Sequence, residues 1–494
     1  MRLAVAMGVV ASALVAAAPA AAQSPGQEPA PIPGDPLAPE LPELIGGPAE
    51  PDPEPRMRVP RHPFMAPNGR SNIHNDAYMS DTYRRAGPLG RGTTTNSAFF
   101  IRECASIAFD REGRLVTICV GLDHPVLAVL DPVTLTVLAA LALPARNLSL
   151  NPFRDFSGGG YFYLDHRDRA VVPTTSGHLL VIAVGGSGAD ASLAVVRDID
   201  LSHLVDPPDD AILSALPDER GRIWFASVDG VVGRVGRRGA AIRSLRLAGE
   251  GITNSFAVDP RGGVFVVSDA ALYRFDSRRG RIVTSFRQVY PNAGVHKPGQ
   301  SDAGSGTTPT LLGRHRIAIT DNADPINVVV YRRDRRVRGR RRICREPVFE
   351  AGASATDQSL IATRRSIVAE NNHGYTGPLS VFGARLTSPG LQRVDLDRDG
   401  RGCRTVWRSG EIAPSVVPKL SLGAGLVYTY TKQPGSDDAW YLTALDFDTG
   451  ETVFSRLAGS GLGFNNNFAP VTLGPDGTAY VGALGGLTSF RDGG

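Results

Sequence analysis

The sequence predicts an all-β protein: a single β-propeller, with eight blades, over residues 98–492. From about residue 98 onward, short runs of alternating apolar and polar residues are separated by Gly, Asp, Pro and Asn turns. The runs group into units of roughly 40–58 residues, which is close to the period of propeller blades. No stretch of this region has the apolar spacing of an amphipathic helix of three turns.

Eight such units can be distinguished. The second centres on Arg169 to Val184, and the other seven begin at or near Ser106, Ile212, Asn254, Thr307, Ala355, Pro414 and Asn465. The last unit has room for only three strands, so we expect the run Ser97 to Arg102 to complete it. This would close the ring and remove its exposed sheet edges. Seven blades is the alternative if the second unit is misread.

Three segments of different character precede the propeller. Residues 1–22 have the pattern of a secretory signal peptide, with Gln23 as the first mature residue. Residues 23–61 are rich in Pro, Glu and Gly, which predicts a disordered linker. Residues 62–97 contain aromatics, Met and turn residues without a regular period, so we expect an irregular segment packed on the domain. The sequence thus predicts a secreted or periplasmic protein with no transmembrane segment.

The charge pattern makes no case for nucleic-acid binding. The chain of 494 residues has a formal net charge of +4, and Lys occurs only at 297, 419 and 432. One run, Arg332 to Arg345, is strongly basic and could meet an acidic polymer, anionic lipid or nucleic acid. No aromatic residue interleaves with these arginines after Tyr331, so a solvated hairpin is the preferred interpretation.

Four cysteines in a chain with an export signal permit disulfides. Cys104 and Cys119 flank a predicted hairpin, and Cys344 and Cys403 take similar places in two successive units. We therefore predict the pairs Cys104–Cys119 and Cys344–Cys403, with small buried thiols as the alternative. No Cys/His cluster has the spacing of a zinc site.

The hairpin Trp440 to Gly461 shows the repeat most clearly. Its run Ala444-Leu-Asp-Phe-Asp-Thr-Gly450 resembles the A-x-D-x-x-T-G repeat of the quinoprotein alcohol dehydrogenase-like propellers. The first unit has a weaker copy at Ala128 to Thr134. The resemblance implies an architecture and no particular activity, since many propellers share such turns.

Two features separate this chain from the members of that superfamily that bind pyrroloquinoline quinone (PQQ). Their repeats commonly place a Trp four residues after the Gly, where this chain has Phe454. Many quinoprotein alcohol dehydrogenases also have a pair of adjacent cysteines, which is absent here. PQQ-dependent dehydrogenase activity is therefore the least favoured of the functions considered.

Propeller topology sorts the connections between strands into two faces. In each blade, strands A to D run from the central channel outward. The A–B and C–D turns, such as 110–113, 259–262 and 446–450, form one face, here called the turn face. Their Asp and Gly residues serve turn geometry. The B–C and D–A connections, such as 321–324 and 370–373, form the loop face at the other mouth of the channel.

The loop face collects the candidate site residues. Those proposed to bind a small polar ligand or an envelope protein are Asp321, Asn322, Asp324, Glu370, Asn371, Asn372, His373, His296 and Asn466. Carboxylate and amide oxygens suit Ca²⁺, which makes Asp321, Asp324 and Glu370 the candidate metal ligands. A His beside a carboxylate can act as a general base, so His373, Glu370 and Asp321 are the catalytic candidates. Asn254, at the entry to the fourth unit, is expected at the same mouth. The alternative is a mouth whose Asn and Asp residues only shape tight loops.

Two other polar clusters allow more than one interpretation. Asn72 to Asp76 could cap the loop-face mouth, although a loop that ties the N-terminal segment to the domain is preferred. Asp395 to Gly400 resembles the start of a calcium loop, but Val406 stands where the bidentate carboxylate belongs. An acidic solvated turn is therefore the preferred interpretation there.

Two functions remain open. One is a monomeric propeller that binds a ligand or partner through its loop face. The other is a cation-assisted hydrolase or lyase that acts on a small polar or carbohydrate-like substrate at the same face. The sequence has no nucleophile elbow, P-loop or H-E-x-x-H motif, which favours binding. Calcium is the one cofactor that the residues suggest.

Overall fold

Eight β-sheets form a propeller of eight blades in a computed structural model, as the sequence predicts. The structure describes residues 25–54, 57–147, 151–153, 155–207, 209–237, 239, 241–435 and 438–493. The predicted signal peptide, 1–22, and the mature start at Gln23 lie outside the described residues. Within each blade, successive strands are antiparallel neighbours, which is the pattern that short hairpin turns produce.

Blades 1 to 4 cover the first half of the ring, each with strands A to D in chain order. Blade 1 contains Glu103–Phe109, Leu115–Val120, Val126–Leu130 and Val137–Ala142. Blade 2 contains Tyr163–Leu164, Arg169–Pro173, His178–Gly185 and Ser192–Asp200. Blade 3 contains Ile212–Pro217, Ile223–Ser227, Val231–Val235 and Arg243–Arg246. Blade 4 contains Ala257–Val258, Gly263–Val267, Ala271–Arg278 and Arg281–Val289.

Blades 5 to 8 complete the ring, and three short 3₁₀ helices lie in the connections. Blade 5 contains Thr310–Leu312, Arg316–Thr320, Asn327–Arg332 and Arg342–Pro347. Blade 6 contains Ile361–Ala362, Ser366–Glu370, Leu391–Leu396 and Cys403–Ser409. Blade 7 contains Lys419–Ser421, Leu426–Lys432, Ala439–Asp446 and Thr452–Ser460. Blade 8 contains Val471–Leu473, Ala479–Ala483 and Gly486–Arg491, with Thr94–Phe99 as its outer strand. The 3₁₀ helices are Gly188–Asp190, Pro378–Val381 and Leu462–Phe464.

An N-terminal strand closes the ring, as predicted, but slightly earlier in the chain. Thr94–Phe99 pairs antiparallel with Gly486–Arg491, whereas the sequence suggested Ser97 to Arg102. The strand ends before residue 101 because Ile101 has a positive φ of 54°. That conformation turns the chain out of blade 8 and into strand A of blade 1.

Residues 64–83, here called the channel segment, run inside the ring. Their main chain is hydrogen-bonded to strand A, or to the residue just after it, in six of the eight blades. The bonds, 2.7–3.1 Å between N and O, join Arg70 to Phe109, Ala66 and Ser71 to Leu164, Ala77 to Val258, Tyr78 to Leu311, Ser80 to Ala362, Asp81 to Leu420 and Tyr83 to Leu422. Most of these partners end strand A, so the segment sits toward the turn face. It thereby pairs main-chain groups that the innermost strands would otherwise leave open.

A buried ion pair anchors this segment to blade 7. The side chains of Asp81 and Lys419 are fully buried and in direct contact. The Lys419 ammonium also donates to the carbonyl oxygen of Ile73 at 2.7 Å. Burial alone would raise the pKa of Asp81, but the charge of Lys419 and the hydrogen bond from the His74 ring hold it below its ordinary value. The pair therefore ties two points of the channel segment to one strand of the ring.

The described residues of the segment 23–61 are ordered on the domain, whereas the composition of the segment predicts a disordered linker. In its described part, Leu44–Gly46 adds an antiparallel strand to the outer edge of blade 7. Ile32, Ala49, Met57 and Val59 are each buried against the domain. Average composition missed this order because a few isolated apolar residues and one free sheet edge suffice to hold an extended chain.

Both predicted disulfides are present. Cys104–Cys119 joins strands A and B of blade 1, where the two residues are direct cross-strand partners. Cys344–Cys403 joins the outer strands of blades 5 and 6, and it closes a span of 59 residues. The first bridge acts within a blade, whereas the second links two blades.

A tryptophan does dock neighbouring blades, at a position that the repeat pattern did not indicate. Trp407, in strand D of blade 6, donates its indole N–H to the carbonyl oxygen of Phe447 in the blade-7 turn at 2.8 Å. The ring covers Gly450, where a Cβ would come within 2.5 Å of it and φ is +75°. The Gly of the A-x-D-x-x-T-G run is thus required by contact with blade 6. Phe454 is itself fully buried in blade 7.

We predict that Asp81 and Lys419 are strongly coupled in stability. Asp81→Asn or Lys419→Met alone should cost about 3–5 kcal/mol, because each leaves an unpaired charged partner in the interior. The double variant should cost less than the sum of the two single variants, by about 1–3 kcal/mol. Urea unfolding of the four proteins, followed by tryptophan fluorescence, measures this coupling. Additive losses would show that the pair does not anchor the segment.

Candidate functional site

The predicted candidates lie on the loop face, but most of their side chains make hydrogen bonds that hold the loops in place. Asp321 accepts hydrogen bonds from the main-chain N–H of Asn327 at 2.8 Å and from its side-chain amide at 2.9 Å. Asn322 is fully buried, and its amide donates to the carbonyl oxygens of Val295 and Ala303. These bonds fix the B–C loop of blade 5 against the long connection that precedes it.

Asp324 and His296 also make contacts within these loops. Asp324 accepts from the main-chain N–H of Gly352 at 2.8 Å, which ties two loops of blade 5 together. His296 has a ring nitrogen in contact with the carbonyl oxygen of Gln300, in its own connection. These contacts hold the loops and do not indicate a ligand site that Asp324 and His296 share.

The cluster from blade 6 behaves in the same way. Asn371 donates to the carbonyl oxygens of Ala353 and Pro389, and Asn372 donates to that of Gly299. His373 pairs through Nδ1 with the Ser388 hydroxyl at 3.0 Å, and burial lowers its pKa. Asn466, at the entry to blade 8, accepts from Ser415 and donates to Ala469. Close loop packing accounts for each of these residues.

Glu370 stands apart from this cluster. It is 1% exposed, and neither carboxylate oxygen has a hydrogen-bond partner among the described residues. Burial, followed by the charge of Asp357, raises its pKa well above the ordinary value. Across the described ranges, no three His, Cys, Asp or Glu side chains are grouped so that they could hold a metal ion. Asp321, Asp324 and Glu370 are therefore not brought together as the predicted calcium ligands.

The clearest site is a cavity at the loop-face mouth of the channel, here called the mouth cavity. It has a volume of about 90 Å³, and its floor is formed by Ile73 and His74 of the channel segment. Its walls come from strand A of blade 1 and from D–A connections around the ring. The wall residues that matter below are Glu103, Phe156, Tyr161, Asn254, Asn467 and Phe468. None of the nine predicted ligand-binding residues lines it, although Asn467 directly follows Asn466.

His74 is held in one orientation from behind. Its Nδ1 lies 3.1 Å from Oδ1 of Asp81 and 3.1 Å from the Ser359 hydroxyl. Ser359 in turn donates to Asp81 at 2.5 Å. Because the Asp81 carboxylate accepts the Nδ1–H, the lone pair of the neutral ring lies on Nε2. That nitrogen is buried and has no hydrogen-bond partner among the described residues.

Burial keeps His74 neutral. It lowers the pKa of the imidazole below the ordinary value, while the nearby Asp81 opposes this effect. The ring is stacked on that of Tyr161, with centroids 6.2 Å apart and planes inclined by 19°. The Tyr161 hydroxyl donates to the side-chain oxygen of Asn254 at 3.1 Å. His74 therefore presents a fixed acceptor beside an aromatic wall.

Glu103 supplies a carboxyl group to the same cavity. Burial raises its pKa well above the ordinary value, opposed by a hydrogen bond from Asn467 and the charge of Arg146. Asn467 donates to Oε2 at 3.4 Å, whereas Oε1 is buried without a partner in the described chain. A carboxyl that is kept neutral in this way can donate a hydrogen bond.

An aromatic group completes the wall. Phe468 makes edge-to-face contacts with Phe156 and Tyr375, each with ring centroids 5.2 Å apart. The Tyr375 hydroxyl donates to Asn467 at 3.0 Å, which links this group to the amide that contacts Glu103. Asn467 and Phe468 both have positive φ, 28° and 70°. Two consecutive residues other than Gly in this region mark a backbone shaped for the position of their side chains.

Sequence reasoning found only part of this cavity. It placed Asn254 at the right mouth, and it weighed the cluster Asn72 to Asp76 as a cap. The structure places His74 beneath the mouth, as its floor. Sequence reasoning missed Glu103 and Tyr161. Glu103 begins an ordinary strand and Tyr161 lies in a run of aromatic residues, and neither pattern indicates a side chain that faces the channel.

Comparisons with known proteins leave the activity of this chain open. No family model matches this sequence. A protein of Archaeoglobus fulgidus described as uncharacterised is 31% identical over 265 residues, which are 48% of this chain and 51% of that protein. The chain thus spans about half the length of the relative that it matches.

Three solved structures are similar in fold at low sequence identity. BamB from Moraxella catarrhalis has a TM-score of 0.48 at 12% identity, covering 78% of this chain and 95% of its own. Streptogramin B lyase has 0.40 at 8%, covering 81% and 97%. The C-terminal WD40 domain of Sif2 has 0.38 at 8%, covering 64% and 78%. In the described part of the chain, no helix is long and apolar enough to span a bilayer.

We predict a pH-dependent effect of Glu103→Gln on stability. In the unfolded chain the carboxyl ionises near its ordinary pKa of 4.5, whereas burial in the folded chain raises that pKa and holds the group neutral to higher pH. The stability contributed by this group is therefore complete below that pH and is lost as the pH rises toward the folded pKa. The variant should gain in melting temperature, relative to the natural protein, between pH 5 and pH 8. The corresponding gain in the free energy of unfolding is at most about 1.4 kcal/mol per pH unit.

Differential scanning fluorimetry at a series of pH values makes this comparison. Glu28→Gln, on an exposed side chain, is the matched control and should leave the pH dependence unchanged. A constant difference between Glu103→Gln and the natural protein would contradict the burial argument.

Proposed function

We propose that this protein is an extracytoplasmic propeller that binds a small polar ligand in the mouth cavity. The observation that carries the proposal is a pair of unsatisfied buried groups on one cavity, Nε2 of His74 and Oε1 of Glu103. A buried polar group that stays unpaired costs about 1–3 kcal/mol of stability. A bound ligand would satisfy both of them.

The two groups need hydrogen-bond partners of opposite kinds. Nε2 of the neutral His74 accepts a hydrogen bond, whereas the neutral carboxyl of Glu103 donates one. A hydroxyl group can meet either need. The rings of Phe156 and Phe468 add an apolar surface against which the C–H face of a cyclic ligand could pack. A hydroxylated, carbohydrate-like molecule fits this combination.

The extracytoplasmic location rests on the cysteines. Both pairs are oxidised, and such bridges persist mainly in oxidising compartments. The signal-peptide pattern in residues 1–22 points the same way. We also propose kinship with the quinoprotein-like propellers at the level of the repeat, which the contact of Trp407 with Gly450 supports.

A second candidate function is catalysis in the same cavity. A His whose Nδ1 is held by a buried Asp is the usual arrangement of a general base, and a neutral buried carboxyl can serve as a general acid. His74 with Asp81, and Glu103 in the same cavity, provide these two groups. A hydrolase or lyase that acts on a carbohydrate-like substrate would follow, with His74 removing a proton and Glu103 supplying one.

We predict that the mature protein binds a hydroxylated ring compound through the mouth cavity. Saturation-transfer NMR with glucose, galactose, N-acetylglucosamine and glucosamine is the first screen. For whichever sugar binds, Phe156→Ala should weaken the affinity about 10-fold, since one aromatic contact is lost.

Leu379→Ala provides the control for this experiment. Leu379 is exposed on a connection of the same face and does not line the cavity. The two variants should melt at similar temperatures. If no sugar binds, or if Leu379→Ala weakens binding as much as Phe156→Ala, the proposal is wrong.

The same samples separate binding from catalysis. Prolonged incubation of the bound sugar or its methyl glycoside should leave its NMR spectrum unchanged if the protein only binds. New resonances that vanish in His74→Gln, while binding persists, would favour the enzyme.

A further inference from the structure

The turn face of blades 5 and 6 carries an unusual concentration of arginine. Its turns and the strand ends beside them, residues 313–316, 332–345, 363–365 and 397–404, are here called the basic turn surface. They contain 16 arginines and three aspartates, whereas the whole chain has a net charge of only +4. The rest of the chain is therefore net acidic, and the excess positive charge is concentrated on this surface.

The four stretches form one surface. The main-chain N–H of Arg333 donates to the carbonyl oxygen of His315, which joins the two turns of blade 5. Leu396 donates to the carbonyl oxygen of Arg365, which joins the two turns of blade 6. The blades meet at Arg316, whose guanidinium lies 2.7 Å from where a Cβ on Gly400 of blade 6 would stand. Burial and then the charges of neighbouring arginines from both blades lower the pKa of Arg316.

Few of these charges are neutralised within the protein. Arg333 pairs with Asp259, Arg335 with Asp276 and Arg404 with Asp397. The other thirteen have no carboxylate oxygen within 4.0 Å anywhere in the described ranges. They are Arg314, Arg316, Arg332, Arg336, Arg338, Arg340, Arg341, Arg342, Arg345, Arg364, Arg365, Arg398 and Arg401. A solvated hairpin, the interpretation preferred from the sequence, does not account for like charges gathered from two blades.

The hairpin that presents these charges is ordered. Arg341 donates to the carbonyl oxygens of Arg332 and Asp334, and its guanidinium lies 3.9 Å from the ring centroid of Phe286. Arg332 donates to the carbonyl oxygen of Arg340 at 2.6 Å. The exposed Arg336, Arg338 and Arg340 therefore project from a fixed turn. A preformed array loses less entropy when it binds.

We propose that the basic turn surface binds the phosphate headgroups of an anionic lipid bilayer. Guanidinium groups match phosphate oxygens in two-point hydrogen bonds. The turns of two blades lie on one end of the ring, so several arginines can reach a flat sheet of phosphates together. Tyr331 is buried, and the surface has no exposed Phe, Tyr or Trp ring on which a nucleic-acid base could stack. Bound this way, the protein would turn its mouth cavity away from the membrane.

The test is sedimentation of the full mature protein with lipid vesicles. The protein should pellet with vesicles of phosphatidylglycerol and phosphatidylcholine, but not with phosphatidylcholine alone, and raised salt should release it. Arg336→Glu/Arg338→Glu/Arg340→Glu should weaken binding about 100-fold, as each arginine contributes about a fivefold factor.

Arg278→Glu/Arg279→Glu/Arg281→Glu is the matched control. These exposed arginines lie at the C–D turn of blade 4, on the same face but outside the basic turn surface. The control triple should keep most of the vesicle binding. Equal loss in both triples, or no pelleting of the natural protein at low salt, would overturn the proposal. Double-stranded DNA that competes fully with the vesicles at equal phosphate concentration would also overturn it, in favour of a general polyanion site.

Discussion

The innermost strand of every propeller blade has one edge without a partner strand, and the rest of this structure depends on how that edge is satisfied. Here the chain does so with its own channel segment, which is hydrogen-bonded to strand A in six of eight blades. The cost of leaving such groups unpaired in a buried channel would be about 1–3 kcal/mol each. One irregular stretch therefore links blades that are far apart in sequence, and the ion pair of Asp81 with Lys419 fixes its register.

The same segment sets the chemistry of the mouth cavity. A channel without it would be an open, wet tube, in which Glu103 would not be desolvated. With the segment in place, His74 is held between Asp81 and the ring of Tyr161, and Nε2 is left without a partner among the described residues. The same segment therefore both closes the channel and forms the site. The basic turn surface lies at the opposite end of the ring, so ligand binding and membrane contact need not compete.

Local patterns allowed much of the architecture to be predicted. The Asp-x-x-Gly turns at 110–113 and 259–262 are formed by neighbouring residues, so the blade boundaries could be read from them, and both disulfides followed from the strand register. The channel position of residues 64–83 could not be predicted, since it rests on main-chain bonds to distant strands that leave no side-chain signature. Asp321 and Asn371 were placed on the correct face. Their role in holding loops was not apparent, because their partners are mostly main-chain groups.

Hydrogen exchange, read by mass spectrometry on the natural mature protein, tests the central claim most directly. If residues 64–83 are built into the channel, their peptides should exchange as slowly as those of strand A in blades 1 and 4. Both sets of peptides should exchange several orders of magnitude more slowly than the unfolded chain. Exchange should accelerate across all eight blades only when the protein unfolds as a whole. Complete exchange of the 64–83 peptides within seconds, while the blades stay protected, would contradict the account.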